Sequence, residues 1–233
     1  MVRIIDKLFP WLVGLTAITV AVMVYMIFFY APVELTMGVV QKIFYTHVPA
    51  AMVMYAGFTI TAVGSLLYLL KRNKALDAVA LSGVEVGLFF AVYVLVSGPL
   101  WAVKAWGKAW VWEPQLTATF VLFLLFAGYA LLRWFSSDSE QIRKIAAVLA
   151  VIGFVDIPIV HYAVQKWGGL HPVVERQGGG GLAADMKLTL TVSMVAFLLL
   201  FLVLLWMRIR VRLTEIRVDE VFLDVEDVAH ELS

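Results

Sequence analysis

Six apolar runs constrain this chain more than any other feature. They cover Leu8–Phe29, Pro49–Leu70, Leu76–Val96, Leu116–Phe135, Ile145–Tyr162 and Met186–Met207. Each is about 20 residues long, enough for one helical crossing of a hydrocarbon core about 30 Å thick. Lipid offers the backbone no hydrogen-bond partners, so helices are the predicted spanning form. The expected fold is therefore all-α, a polytopic membrane protein of six transmembrane helices. Only the fifth run is compromised from within, because it contains Asp156 and Pro158. Hydrophobic residues make up 63% of the chain and charged ones 15%. A soluble domain has about 45–50% and about 25%, so no separate globular part is expected.

An even number of spans places both termini on one side, and charge says which. Arg3, Lys7, Lys71, Arg72, Lys74, Arg133, Arg143, Lys144, Arg208, Arg210, Arg212 and Arg217 fall on the terminal side. Lys42, Lys104, Lys108, Lys166, Arg176 and Lys187 fall opposite. The positive-inside rule then puts both termini in the cytoplasm. The first run has no small-residue cleavage site after it, and is read as a retained helix. The domain reading is a six-span membrane domain over residues 1–207, with an external tryptophan-rich loop at 99–115, then a charged cytoplasmic tail over 208–233. GGGG at 178–181, in the third outer connection, is expected to be mobile.

Several chemistries are excluded. The chain has no cysteine, which rules out disulfides, thiolate metal sites and cysteine nucleophiles. No serine or threonine sits beside a base in a nucleophilic arrangement. No nucleotide-binding glycine pattern occurs, and the net charge of +1 gives no sign of nucleic acid.

The candidate functional residues gather on the outer side. WAVKAWGKAWVW carries Trp101, Trp106, Trp110 and Trp112 within twelve residues. Tryptophan favours membrane interfaces generally. This density suggests more, an aromatic platform able to bury a flat ligand. Lys104 and Lys108 lie in the same segment as candidates for its acidic groups, or for lipid phosphate. Glu113 and Pro114 close the segment and open the fourth helix, and Gln115 is a candidate to orient the loop with Glu113. His47 lies just before the second span and His171 in the third outer loop. Neutral imidazoles offer nitrogen to iron, and two from separate loops suit the opposite faces of a planar haem. Each is also explicable as an ordinary interfacial or solvated histidine. His161, near the outer end of the fifth span, is read as structural, and His230 as inert. Glu85 and Asp156, within spans, are candidates for proton relay or for polar contacts that lock the bundle. Gly83 and Gly87 flank Glu85 and permit close helix approach. A membrane transporter or channel for another solute is the alternative reading, based on the proline-broken fifth span.

KIFYTHVPAAMVMY, GPLWAVKAWGKAWVWEPQLTATFVLFLLFAGYALL and DIPIVHYAVQKWGGLHP resemble the haem exporter C (CcmC) family of cytochrome c maturation. The tryptophan-rich segment is similar to that of a wider haem-handling superfamily. The resemblance covers roughly residues 40 to 206. It implies haem b held at the external face of the bacterial inner membrane, with His47 and His171 as axial ligands to the metal. Trp101, Trp106, Trp110, Trp112, Glu113, Lys104 and Lys108 would complete the haem-binding residues. It implies transfer of haem to a periplasmic haem chaperone. Further implied partners are an ABC-type ATPase with its membrane subunit, a small single-span accessory protein and the lipid bilayer. ATP hydrolysis would belong to those partners, so this chain is not expected to be an enzyme. Glu113 stands where relatives commonly have aspartate.

Overall fold

The computed structural model describes residues 2–136, 139–171 and 182–231, with side chains described from residue 7 to 226 within those ranges. The expected GGGG segment, Pro172 and Arg176, and the side chains of Arg3 and His230, lie outside the described residues. Seven α-helices are present among the described residues: α1 Val2–Tyr25, α2 Phe44–Lys71, α3 Lys74–Trp106, α4 Pro114–Phe135, α5 Glu140–Phe154, α6 Asp156–Trp167 and α7 Ala184–Glu231. Six helical spans are long and apolar enough to cross a membrane, α5 and α6 together forming one of them. The all-α, six-span reading is therefore the fold observed.

Local chemistry sets the boundaries. Asn73 caps α3 by accepting from the Ala75 N–H at 2.8 Å, and Ser139 caps α5 by accepting from Ile142 at 3.3 Å. Pro114 occupies the first turn of α4, where its missing N–H costs nothing. The fifth span does break. Pro158 cannot donate to the carbonyl of Phe154, and α5 stops there with the Val155 N–H turned to Ile152 at 3.1 Å.

Three boundaries differ from expectation. Helix α2 begins at Phe44, so His47 sits in its first turn and not ahead of it. Pro49 follows as the sixth residue of α2, so the helix forgoes one backbone bond there, to the Tyr45 carbonyl. Helix α3 runs past Val96 and through Pro99 to Trp106, ending at Gly107 in the left-handed conformation with φ 72°. The tryptophan-rich segment is thus not a loop throughout: Trp101 and Trp106 are helical, while Trp110 and Trp112 lie in the connection to α4. A membrane helix tolerates such a proline because neighbouring groups satisfy the freed carbonyl. Helix α7 continues without interruption from the sixth span into the charged segment after Met207.

The packing centres on α2 and α3. A Cβ added to Gly57 would lie 2.8 Å from Gly87 Cα and 2.9 Å from the Gly83 carbonyl oxygen, so the two backbones touch at their crossing. Beside them Phe58 of α2 stacks on Phe126 of α4, with ring centroids 4.1 Å apart. Helices α4, α5, α6 and α7 complete this core, while α1 packs against α7 in a smaller cluster with Met23, Ile27 and Met186. Tyr30 ties the two together by donating to Asp185 at 3.1 Å.

Charge closes the end of the bundle where α3 begins. Arg133 of α4 grips Asp77 of α3 with two bonds of 3.0 and 2.9 Å. Glu85, two turns further along α3, accepts from Arg208 at 2.5 and 2.9 Å, from Arg212, and from the Trp134 indole at 3.1 Å. Of the two roles foreseen for Glu85, these contacts are those of a lock joining α3, α4 and α7. Glu85→Gln keeps the shape but loses the charge. It is expected to cost about 1–3 kcal/mol, because bonds to charged groups weaken to neutral ones. Thermal unfolding in detergent measures the loss, and an unchanged midpoint would count against the lock.

Candidate functional site

The far end of α3 assembles the residues singled out by sequence. His47 reaches α3 through Nδ1, which lies 2.8 Å from the Ser97 hydroxyl. Gly98 makes room for the ring, since a Cβ there would stand 3.2 Å from His47 Cε1. One helical turn towards the start of α3, the Tyr93 hydroxyl donates to Thr46 at 2.6 Å. One turn beyond Ser97, the Trp101 indole N–H donates to Gln41 at 3.3 Å. These contacts fix the first turn of α2, and the residues just ahead of it, against the last turns of α3.

His171 arrives from the other direction. Its ring packs edge-on to Trp106, centroids 6.2 Å apart, and Trp106 packs edge-on to Trp101 at 5.7 Å. His171 is therefore at the same end of the bundle as His47, within electrostatic reach of it. Burial lowers the pKa of the His171 imidazole from the ordinary histidine value, and the nearby Glu113 carboxylate acts in the opposite sense. The neutral ring is the form that carries a free nitrogen lone pair.

Glu113 holds the segment before His171. Only 7% exposed, it accepts from the backbone N–H of Leu170 and, at 3.3 Å, from that of His171. Gly169 has φ 151°, and a Cβ there would lie 2.6 Å from Glu113 Oε2. Glycine is required twice over, for conformation and for space. Gly169→Ala is expected to expel the carboxylate and speed hydrogen exchange at the Leu170 and His171 amides by on the order of tenfold, the equivalent of one lost bond. Unchanged exchange at those amides would contradict the clamp.

Two polar atoms remain open here. Among the described residues, Glu113 Oε1 and His171 Nδ1 are buried without hydrogen-bond partners and stand 3.9 Å apart, too far to bond directly.

The four tryptophans do not form one flat platform. Trp101 and Trp106 meet at 86°, on the side of the histidines. Trp110 and Trp112 meet at 77° and both pack edge-on to Phe120 of α4. The two pairs are separated in the chain by the end of α3 at Gly107. Trp112 is 71% exposed, whereas the indole N–H of Trp110 is buried without a partner among the described residues. Lys104, in the last turn of α3, and Lys108, just after it, are exposed. His161 is exposed midway along α6 with its ring edge-on to Tyr162, and Asp156 Oδ2 is buried without a hydrogen-bond partner among the described residues.

Sequence reasoning missed Ser97, Gly98, Gln41 and Gly169. The signal was present for some of them: Tyr93, Ser97 and Trp101 repeat every fourth residue, the spacing of one helix face. The donor set is that of two imidazoles beside indoles. No cluster of three or more histidine or acidic residues able to hold a bare metal ion occurs among the described residues. A planar iron ligand with large apolar faces fits such a donor set better than a bare ion does.

Comparison with known proteins gives a consistent result. The profile of the family described as Heme exporter protein C matches residues 1–223. The Heme exporter protein C of Paracoccus denitrificans is 33% identical, over 92% of this chain and 89% of its own length. That of Escherichia coli is 34% identical over 86% and 82%, and that of Bradyrhizobium diazoefficiens 32% identical over 85% and 76%.

Proposed function

The chain belongs to the heme exporter protein C family, and from that premise we propose that it holds haem b at the external face of the bacterial inner membrane and passes it on during cytochrome c maturation. Haem is the cargo here, not a resident cofactor. The observation that supports the reading is that His47, against Ser97, and His171, against Trp106, lie at one end of the bundle although distant in sequence. Their free nitrogens serve as the axial ligands to iron. Indole faces cover the apolar macrocycle, and Lys104 and Lys108 receive its propionates. Glu113 contributes by holding His171 in place.

The orientation follows from charge. Both termini lie in the cytoplasm, with the ion pairs of Asp77 and Glu85 towards that side, and the histidine end faces the periplasm. Residues 1–207 form the membrane domain, and 208–233 continue as a charged cytoplasmic extension of α7. A periplasmic haem chaperone collects the haem. ATP is hydrolysed by an ABC-type ATPase working with its membrane subunit, and a small single-span protein completes the assembly. This chain performs no catalysis of its own. The transporter alternative draws only on the broken fifth span, which Pro158 accounts for.

The second indole pair is the proposed contact for the chaperone, since Trp112 is the most exposed of the four. Trp110→Ala and Trp112→Ala together are expected to reduce haem chaperone recovered with the purified protein at least about tenfold, as the loss of two interface aromatics would. The low-spin haem spectrum should persist. Undiminished chaperone recovery would remove this role, and a wild type unable to take up haem would remove the whole reading.

A further inference from the structure

Iron coordination needs more than a histidine nearby. Neutral imidazole carries one N–H, and only the other nitrogen can bind a metal. Left free, the ring of His47 would populate both tautomers and several rotamers. Its surroundings suppress that freedom. Nδ1 meets the Ser97 hydroxyl at 2.8 Å, and Ser97 is only 5% exposed. Cε1 fits over Gly98, where any side chain would crowd it. Above and below, at intervals of four residues along α3, Tyr93 bonds Thr46 of α2 and Trp101 bonds Gln41 just ahead of α2. Ser97 is the middle rung of a three-rung ladder on one face of α3.

We propose that Ser97 is the positioning residue for His47: its hydroxyl accepts the Nδ1–H, fixes the tautomer, and leaves Nε2 as the nitrogen presented to iron. This rests on the reading of His47 as a haem ligand. A fixed acceptor on the remote nitrogen also makes the coordinating nitrogen a stronger donor. Ser97 itself touches no haem and acts only through His47. The two ligands are thereby held differently. His47 is set by a side-chain bond between two helices, whereas His171 is set through backbone bonds to Glu113.

The test uses the full-length protein in detergent with added haem. Ser97→Ala is expected to weaken haem affinity about tenfold or more, the usual effect of losing such a partner. It should also move the low-spin electron paramagnetic signature and the midpoint potential. Ser97→Thr keeps the hydroxyl and should restore all three to near wild type. In a His47→Ala background, Ser97→Ala should add no further loss. Gly98→Ala provides a second route: it favours the helix but pushes on Cε1, and should reproduce the spectral change in a well-folded protein. Wild-type spectra, potential and affinity in both Ser97→Ala and Gly98→Ala would overturn the role of Ser97 while leaving the haem site intact. An additional loss in the His47→Ala background would overturn it too. A wild type with no low-spin haem would overturn both readings.

Discussion

His47→Ala and His171→Ala, each alone, are expected to abolish the six-coordinate low-spin haem spectrum of the purified protein. The reason is stoichiometric. Iron in a porphyrin has two axial positions, and the structure brings two imidazoles to the same end of the bundle. Removing either leaves one position empty or filled by water. A single myoglobin-like ligand leaves five-coordinate or mixed-spin iron, with a shifted Soret band. Haem retention on purification should fall at least about tenfold for each variant, and further for the double variant. His161→Ala is the control. Its ring is exposed beside Tyr162 and away from the described contacts of the pair, so its spectrum should match wild type. Optical and electron paramagnetic spectra of the three variants decide the matter. Full low-spin haem in His171→Ala would exclude it as a ligand and dissolve the proposed site.

Gly57→Leu is expected to prevent recovery of folded protein altogether. The atoms that meet a Cβ at this position are Gly87 Cα at 2.8 Å and the Gly83 carbonyl oxygen at 2.9 Å. Both are backbone, and backbone cannot rotate aside as a side chain does. Helices α2 and α3 would have to separate along their closest crossing, with loss of the Phe58–Phe126 stack beside it. In lipid there is little hydrophobic drive between helices, so close backbone packing is a main source of association. Even Gly57→Ala should cost about 1–3 kcal/mol, as overpacked cores do. Gly128→Ala is the contrasting case. There the new Cβ would lie 3.6 Å from Leu149 Cδ2, an ordinary contact, and the better helix propensity of alanine should leave stability equal or higher. Monodisperse yield and thermal midpoint in detergent distinguish the two positions. A stable Gly57→Leu protein would mean that α2 and α3 do not cross where the structure puts them. Haem binding should fail together with Gly57 packing, because α2 carries His47 and α3 carries Ser97.

Much of this architecture was visible in the linear chain, for reasons that are local. Run length alone located six spans, because a helix crossing lipid must stay apolar for its whole length. Pro158 marked the break in the fifth span, since a missing N–H acts only on its own neighbourhood. Pro114 and Glu113 marked the start of α4 in the same way. The end of the third span was misplaced because hydropathy falls in the tryptophan segment while the backbone remains helical to Gly107. Tryptophan and lysine look like loop residues on a hydropathy scale, yet neither breaks a helix.

The candidates for the proposed site likewise come from the linear chain: His47, His171 and the four tryptophans stand out by rarity and placement. Their arrangement was not. Hydropathy says that a helix is buried in lipid but not which helix lies beside it, because apolar attraction has no direction. Only the folded bundle pairs Ser97 with His47, Glu113 with the backbone before His171, and Arg208 with Glu85. These are directional contacts between residues far apart in the chain. The sequence thus determined how many helices are long and apolar enough to cross a membrane, and which groups they carry. The tertiary structure decided which of them meet, because that depends on hydrogen-bond geometry and on glycines where two backbones touch.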